Sequence, residues 1–180
     1  MNQLSIFEPS DSEKIFSLEG RNSEPKESVV HHWELFVDGA SRNNPGKSGA
    51  GIYLLKDGKE VIRQGFFLGI KTNNEAEYLA TILGLFFVQN QFSLPDKLTV
   101  ISDSLLVIRQ LEGVFKVRKK ELIPLHSLAS TIIKACKGTV THVLRHHNVH
   151  ADAMANEGID KNITVPHNFI HMLKQHGITL

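Results

Sequence analysis

Three consecutive apolar runs, each bounded by turn-forming residues, begin near His32 and are typical of β-strands. They are WELFVDG, GAGIYLLKDG and EVIRQGFFLG. Between the last two lies the pair Asp57-Gly58, which is a strong signal for a two-residue hairpin turn. The pattern therefore predicts three antiparallel strands at the start of the folded domain.

Apolar positions then recur every three or four residues in NNEAEYLATILGLFFVQNQ, which predicts a long helix. Further along, the pattern predicts a strand at KLTVISD, a helix at SLLVIRQLEG, a longer helix at ELIPLHSLASTIIKACKG that is regular from about Pro124, a strand at TVTHVLR and a helix at HADAMANEGI. Three antiparallel strands followed by alternating helices and strands predict an α/β fold. We expect a five-stranded mixed sheet with helices on both faces.

Composition divides the chain into three parts. Residues 1–30 are rich in Ser, Glu, Asn and Lys, and we expect a mobile N-terminal extension there, with a small partner-binding module as the alternative. The main domain is expected over 31–160. Residues 161–180 are predicted to be a C-terminal tail or a short amphipathic helix.

The overall charge argues against a protein that is held to nucleic acid by bulk basicity. Lys and Arg total 20 against 19 Asp and Glu, for a net charge of +1. This balance still permits binding in which metal cations neutralise the phosphates.

Other features of composition indicate a cytoplasmic protein, and we expect a monomer. The single Cys136 excludes an internal disulfide framework, fits a reducing compartment and lies in an apolar run typical of a buried structural thiol. No apolar run approaches the roughly 18 residues that span a bilayer, and the N-terminus lacks the basic start of a signal peptide.

Four acids occupy the places where chemistry is expected in such a sheet. Asp38 closes the first predicted strand, Asp103 closes the fourth, and Glu77 and Asp152 lie near the starts of two helices. Strand ends and helix starts meet at one edge of an α/β sheet, where four carboxylates repel one another unless they are protonated or metal-bound. Such a site suits two Mg²⁺ or Mn²⁺ ions, which can catalyse phosphodiester cleavage.

Each acid alone also has a simpler interpretation. Asp38 with Gly39 could form a turn, Asp103 could cap a helix, Glu77 could be a solvated helix residue, and Asp152 could complement a helix dipole. The four acids together favour the metal site.

The segments that carry the acids strongly resemble type 1 ribonuclease H. They are DGASRNNPGKSGAG, TNNEAEYLA, ISDSLLVIRQLEG and RHHNVHADAMAN, in that family's order over residues 32–160. The resemblance implies a ribonuclease H-like fold and a metal-dependent endonuclease that cuts the RNA strand of RNA/DNA hybrids to 5′-phosphate and 3′-hydroxyl ends. The alternatives are a binding protein that kept the fold, or a nuclease acting on another nucleic acid.

The resemblance also implies roles for individual residues. Asp38 would bridge two metal ions, Glu77 and Asp103 would hold the ion near the leaving group, and Asp152 would hold the ion that carries the attacking water. The residues expected to contact the hybrid are Gly39, Ser41, Asn44, Asn73, Asn74, Ser104 and Arg145. Asparagine amides suit the 2′-hydroxyls of RNA, although Asn73 and Asn74 could also cap a helix. The glycines after Asp38 would let backbone approach the nucleic acid closely.

The chain departs from the family pattern in three places. The loop LRHHNVHAD is short, and we expect His147 to be the catalytic histidine, with an exposed loop histidine as the alternative. Leu105 stands where some members carry a polar substrate contact. The long basic handle is missing, as in the compact branch of the family. The segment VFKVRKKEL replaces it and could be either a solvated turn or a small phosphate-binding patch.

Overall fold

The structure is a computed structural model that describes residues 30–92 and 97–180, so the proposed N-terminal extension lies almost wholly outside the described residues. Its elements in chain order are β1 (His32–Asn43), β2 (Gly46–Lys56), β3 (Lys59–Lys71), α1 (Asn73–Gln91), β4 (Lys97–Ser102), α2 (Leu105–Leu111), α3 (Leu122–Ala135), β5 (Thr139–His142), a 3₁₀ turn (Arg145–His147), α4 (Val149–Lys161) and α5 (His167–Gln175).

In the described part of the chain, the strands form a single five-stranded sheet in the order β3-β2-β1-β4-β5. Strand β2 pairs antiparallel with both β1 and β3, whereas β1–β4 and β4–β5 are parallel. This confirms the predicted mixed sheet with three antiparallel strands first. The Asp57-Gly58 turn is also confirmed, since both residues have positive φ, as its tight hairpin geometry requires.

Helices α1 and α4 cover opposite faces of the sheet, as predicted. Val37 of β1 lies under α1, because a Cβ added at Gly84 of that helix would lie 3.0 Å from the Val37 side chain. Asp38, the next residue, points to the other face. Its partner across the β1–β2 ladder is Gly51, where an added Cβ would lie 1.9 Å from the carbonyl oxygen of Ala151 in α4.

Local signals set the helix boundaries. Helix α1 has the predicted bounds, and Thr72 and Glu75 form a reciprocal capping box at its start. Helix α3 begins at Leu122, which places Pro124 in the first turn, where proline is tolerated. Helix α5 occupies the C-terminal segment, where Phe169 and Leu173 are fully buried.

Several strand ends were predicted wrongly; the fifth strand, for example, ends at His142, and Arg145 lies in the 3₁₀ turn. Asp38 was expected to close the first strand, but β1 continues to Asn43 because its pairing with β2 extends to Asn43 opposite Gly46. Small residues after Asp38 had suggested a loop. Asp38 therefore lies inside β1.

Two expectations about the interior and the membrane can be compared with the structure. Cys136 is buried, as expected of a structural thiol. Within residues 30–92 and 97–180, none of the helices is long and apolar enough to cross a membrane.

Candidate active site

Asp38 and Asp103 become neighbours where β1 and β4 part. The last parallel pair between these strands is Phe36 with Ile101, and each acid lies two residues beyond it. The two acids are close enough for the charge of Asp103 to act on Asp38, which is only 6% exposed. The divergence of the two parallel strands thus opens the space that both carboxylates face.

Glu77 enters the same space from α1. A Cβ added at Gly39 would lie 2.1 Å from the backbone nitrogen of Glu77, so only glycine lets α1 pack this closely against β1. The Gly39 N–H donates to Glu77 Oε2 at 3.1 Å. The glycines after Asp38 were expected to let backbone approach the nucleic acid, and this expectation needs correction. The space next to Gly39, Gly49 and Gly51 is filled by helix backbone.

Asp152 approaches from the first turn of α4, on the open side of the site. Its Oδ1 accepts a hydrogen bond from Arg145 Nη2 at 2.7 Å. The Arg145 side chain is 78% exposed and that of Asp152 is 29% exposed, so this ion pair lies at the pocket mouth. Exposed ion pairs of this kind contribute little to stability.

These four acids line one pocket of about 290 Å³. Four other predicted site residues line it as well: Gly39, Ser41, Asn73 and Arg145. Three lining residues that sequence reasoning missed are Ala40, Arg42 and Asn156. Asn156 follows Asp152 by four residues, so helical spacing alone could have placed both on one face of α4.

Burial and mutual repulsion govern the charge of the two deep acids. Burial, followed by the charges of Asp103 and Asp152, raises the pKa of Asp38 to about 7, against the opposing charge of Arg145. Burial is also the main cause that raises the pKa of Glu77 well above its usual value, followed by the charges of Asp38 and Asp103. Both carboxylates are therefore costly to ionise without a nearby cation.

The donor set fits hard divalent cations, since it consists of carboxylate oxygens without a thiolate. Across residues 30–92 and 97–180, no three acidic, His or Cys side chains already converge as metal ligands. Instead, Asp103 accepts a hydrogen bond from Asn148, and Asp152 is paired with Arg145. A bound cation would have to compete with protons and with Arg145 for these oxygens.

The predicted hybrid-binding residues are divided between the pocket and its surroundings. Asn44 Oδ1 accepts from the Asn73 N–H at 2.9 Å, which ties the β1–β2 turn to the start of α1. Thr72, rather than Asn73 or Asn74, caps this helix, so neither asparagine side chain is needed as a cap. Ser41 Oγ lies 2.9 Å from the Lys71 carbonyl oxygen and so links β1 to β3.

Two further candidates lie outside the pocket. Ser104 is the N-cap residue of α2 and makes no side-chain capping bond. His147 is exposed in the 3₁₀ turn, with its ring centroid 4.0 Å from that of His146. Arg145, at the other end of the same turn, lines the pocket, and a catalytic role for His147 stays a prediction.

The basic segment between α2 and α3 is a loop over residues 112–121. Its four cations are exposed and lie outside the pocket: Lys116, Arg118, Lys119 and Lys120. This placement fits the solvated-turn interpretation, and phosphate binding by the loop stays a prediction.

Sequence reasoning also missed Asn148. This residue is 1% exposed, and its Nδ2 donates both to the Val37 carbonyl oxygen at 3.0 Å and to Asp103 Oδ1 at 2.8 Å. A polar residue between His147 and Val149, both exposed, carried no apolar pattern to indicate burial.

Comparison with known proteins gives a consistent result. A family model described as reverse transcriptase-like matches residues 36–158. A ribonuclease HI of Halobacterium salinarum is 37% identical over 127 residues, covering 69% of this chain and 63% of the relative. A bifunctional protein of Mycobacterium tuberculosis is 33% identical, with 69% of this chain and 34% of the relative covered. The chain thus spans less than two thirds of the length of these curated relatives.

Solved structures are similar over most of the described domain. RNase H1 from Halobacterium salinarum has a TM-score of 0.68 at 35% identity, covering 72% of this chain and 98% of that one. LC11-RNase H1, crystallised in complex with an RNA/DNA hybrid, has a TM-score of 0.66 at 30% identity, covering 73% of this chain and 97% of that one.

Proposed function

The chain belongs to the reverse transcriptase-like family and, within it, to the type 1 ribonucleases H, and we propose that it is a metal-dependent endonuclease. The proposed reaction is hydrolysis of the RNA strand of RNA/DNA hybrids, which leaves 5′-phosphate and 3′-hydroxyl ends. One observation carries the proposal: acids from β1, α1, the end of β4 and α4 line a single pocket.

Two divalent cations, Mg²⁺ or Mn²⁺, fit this pocket in the proposal. Asp38 would contact both ions, Glu77 and Asp103 would hold one, and Asp152 would hold the other. When bound, the ions activate water and stabilise charge on the leaving oxygen. The deep carboxylates support this assignment, because burial makes them costly to ionise unless a cation compensates their charge.

The chain's own contribution is to position the substrate. Asn73 lines the pocket at the start of α1, where the helix dipole favours a phosphate. The amides of Asn44, Asn73 and Asn74 would hydrogen-bond the 2′-hydroxyls that distinguish RNA from DNA. The exposed guanidinium of Arg145 would contact a backbone phosphate at the pocket mouth.

Hybrid affinity is expected to be modest, because the 112–121 loop is short and the net charge is only +1.

We propose that the protein acts as a monomer in the cytoplasm. Light scattering on the purified full chain would test the monomer, with a mass near 20.1 kDa as the expected result.

A substrate panel tests the activity. Full-length protein is incubated with labelled RNA/DNA hybrid, RNA/RNA, DNA/DNA and single strands, with Mg²⁺ or Mn²⁺ or with a chelator. We expect metal-dependent cutting of the RNA in the hybrid alone, with 5′-phosphate ends. Cutting of another substrate instead would favour a nuclease of different specificity, and no cutting with either metal would contradict the enzyme proposal.

The Asp38→Asn variant tests the site itself. A neutral amide cannot bridge two cations, so we expect activity to fall by about three orders of magnitude, or about 4 kcal/mol in activation free energy. Glu60→Gln is the matched control, because Glu60 is an exposed acid of β3 that pairs with Arg63. Full activity in Asp38→Asn would show that the chemistry takes place elsewhere.

A further inference from the structure

Asn148 joins four pieces of the pocket wall. Its side chain bonds to the backbone of β1 at Val37 and to the carboxylate of Asp103. Its backbone N–H donates to the Arg145 carbonyl oxygen at 2.9 Å, which closes the 3₁₀ turn. Its carbonyl oxygen accepts from the Asp152 N–H at 3.0 Å, which begins α4.

The orientation of the Asn148 amide follows from its partners. Both groups that face the side chain, the Val37 carbonyl and the Asp103 carboxylate, are acceptors, so the NH₂ group must point at them. The amide oxygen is buried and has no partner in the part of the chain that the structure describes. A buried acceptor without a partner weakens a fold, so stability alone does not explain an asparagine here.

The chemistry of the amide suits a group that holds an acid without neutralising it. A lysine or arginine at this position would also orient Asp103, but its positive charge would compete with a divalent cation. An amide donates hydrogen bonds and leaves the negative charge of the carboxylate in place. With Asp103 tied to the residue next to Asp38, the two acids keep a set spacing.

We propose that Asn148 is a positioning residue that locks the Asp103 carboxylate against β1 in the geometry required for cation binding. The inference rests on the proposed metal-dependent function, and Asn148 itself is too deeply buried to touch the substrate. Because it acts through Asp103, its removal should weaken metal binding and turnover while leaving hybrid binding nearly intact.

The test is calorimetric titration of Mn²⁺ into the full-length protein, with Asn148→Ala as the variant. Loss of a partner behind a metal ligand typically costs 10–100-fold in affinity or activity, and we expect about tenfold weaker Mn²⁺ binding. In hybrid cleavage, kcat should fall by about 10–100-fold and KM should change by less than about twofold. Asn90→Ala is the control. This change removes a similar hydrogen bond, from the Asn90 side-chain amide to the Phe86 carbonyl oxygen, near the far end of α1.

Repeating the comparison in an Asp103→Asn variant separates a positioning role of Asn148 from general destabilisation. In Asp103→Asn, the additional Asn148→Ala change should alter Mn²⁺ affinity by less than about twofold, because its target is already gone. An equal loss in both backgrounds, or no loss in either, would overturn the inference. If Asn148→Ala does not fold by circular dichroism, Asn148→Ser takes its place, since the hydroxyl keeps one donor, and an intermediate loss is expected.

The proposed function and the positioning role can fail separately. A wild-type protein that binds Mn²⁺ but cuts no hybrid would contradict the function, while the calorimetric comparison would still decide the role of Asn148. A wild-type protein that cuts hybrid, with kcat and Mn²⁺ affinity unchanged in Asn148→Ala, would overturn only the positioning role.

Discussion

The pocket has a deep end and an open end, and the same kind of side chain behaves differently at each. At the deep end, Asp38 and Glu77 are 6% and 7% exposed, and Glu77 accepts a hydrogen bond from the Gly39 backbone. At the open end, Asp152 is paired with Arg145, whose side chain is 78% exposed. Close packing therefore determines the geometry of the deep end, whereas solvent screens the charges of the open end.

This difference separates two demands on the site. The deep end must keep its spacing whether or not a cation is present, because β1 and α1 leave little room for movement. The open end can exchange the partner of Asp152, since a paired arginine at a pocket mouth is held by only about 0–1 kcal/mol. Substitutions should therefore cost most at the deep end and least at the mouth.

The largest effect is expected for Gly39→Ala. The added Cβ would lie 2.1 Å from Glu77 N and 2.2 Å from Ala76 C, and neither backbone atom can rotate away. Helix α1 would have to shift, so we expect the free energy of unfolding to fall by about 3 kcal/mol or more, measured by urea denaturation.

Gly58→Ala is the matched control for Gly39→Ala. Gly58 has φ +73° and open space around it, so alanine there costs about 1 kcal/mol through backbone strain alone. Equal losses in the two variants would mean that α1 does not press against β1 as closely as the distances indicate.

The next effect is the pH dependence of stability in metal-free protein. The pKa of Asp38 rises from 3.8 to about 7 on folding, so the native state binds the proton more tightly than the unfolded chain. The stabilising contribution of Asp38 is therefore fully present below pH 4 and is lost as the pH rises through about 7. We expect Asp38→Asn to stabilise the metal-free protein by about 2–4 kcal/mol at pH 8 and by almost nothing at pH 4.

Asp57→Asn is a control of opposite sign. A hydrogen bond from the His32 backbone, followed by one from the His31 side chain, lowers the pKa of Asp57, so its contribution is present at neutral pH and lost in acid. Chemical denaturation in a chelator at several pH values would compare the variants. An Asp38→Asn protein that is no more stable than wild type at pH 8 would contradict the electrostatic cost at the deep end.

Local signals explain which parts of the fold and site could be predicted from sequence. The Thr72–Glu75 capping box and regular apolar spacing mark α1, and Asp57-Gly58 marks the hairpin between β2 and β3. The meeting of the four acids followed from the expected strand order. In contrast, the extension of β1 depends on pairing with β2, and the role of Asn148 depends on contacts with residues 45 and 111 positions away. Such non-local contacts leave no periodic pattern in the chain.

The smallest effect on stability is expected at the open end, where Arg145 and His147 share one short turn. Arg145→Ala should change the free energy of unfolding by less than about 1 kcal/mol, because its ion pair with Asp152 is exposed. If Arg145 contacts a phosphate, KM for the hybrid should rise several-fold, and the salt dependence of binding should lose about one counterion.

His147→Ala separates the two side chains of this turn. His147 lies outside the pocket, so we expect neither KM nor kcat to change by more than about twofold in this variant. Initial rates between about 50 and 200 mM salt would measure both constants and the salt slope. If His147→Ala lowered kcat while Arg145→Ala left KM unchanged, the histidine rather than the arginine would serve the substrate. The open end of the pocket would then rearrange when the hybrid binds, as its exposure and weak ion pair allow.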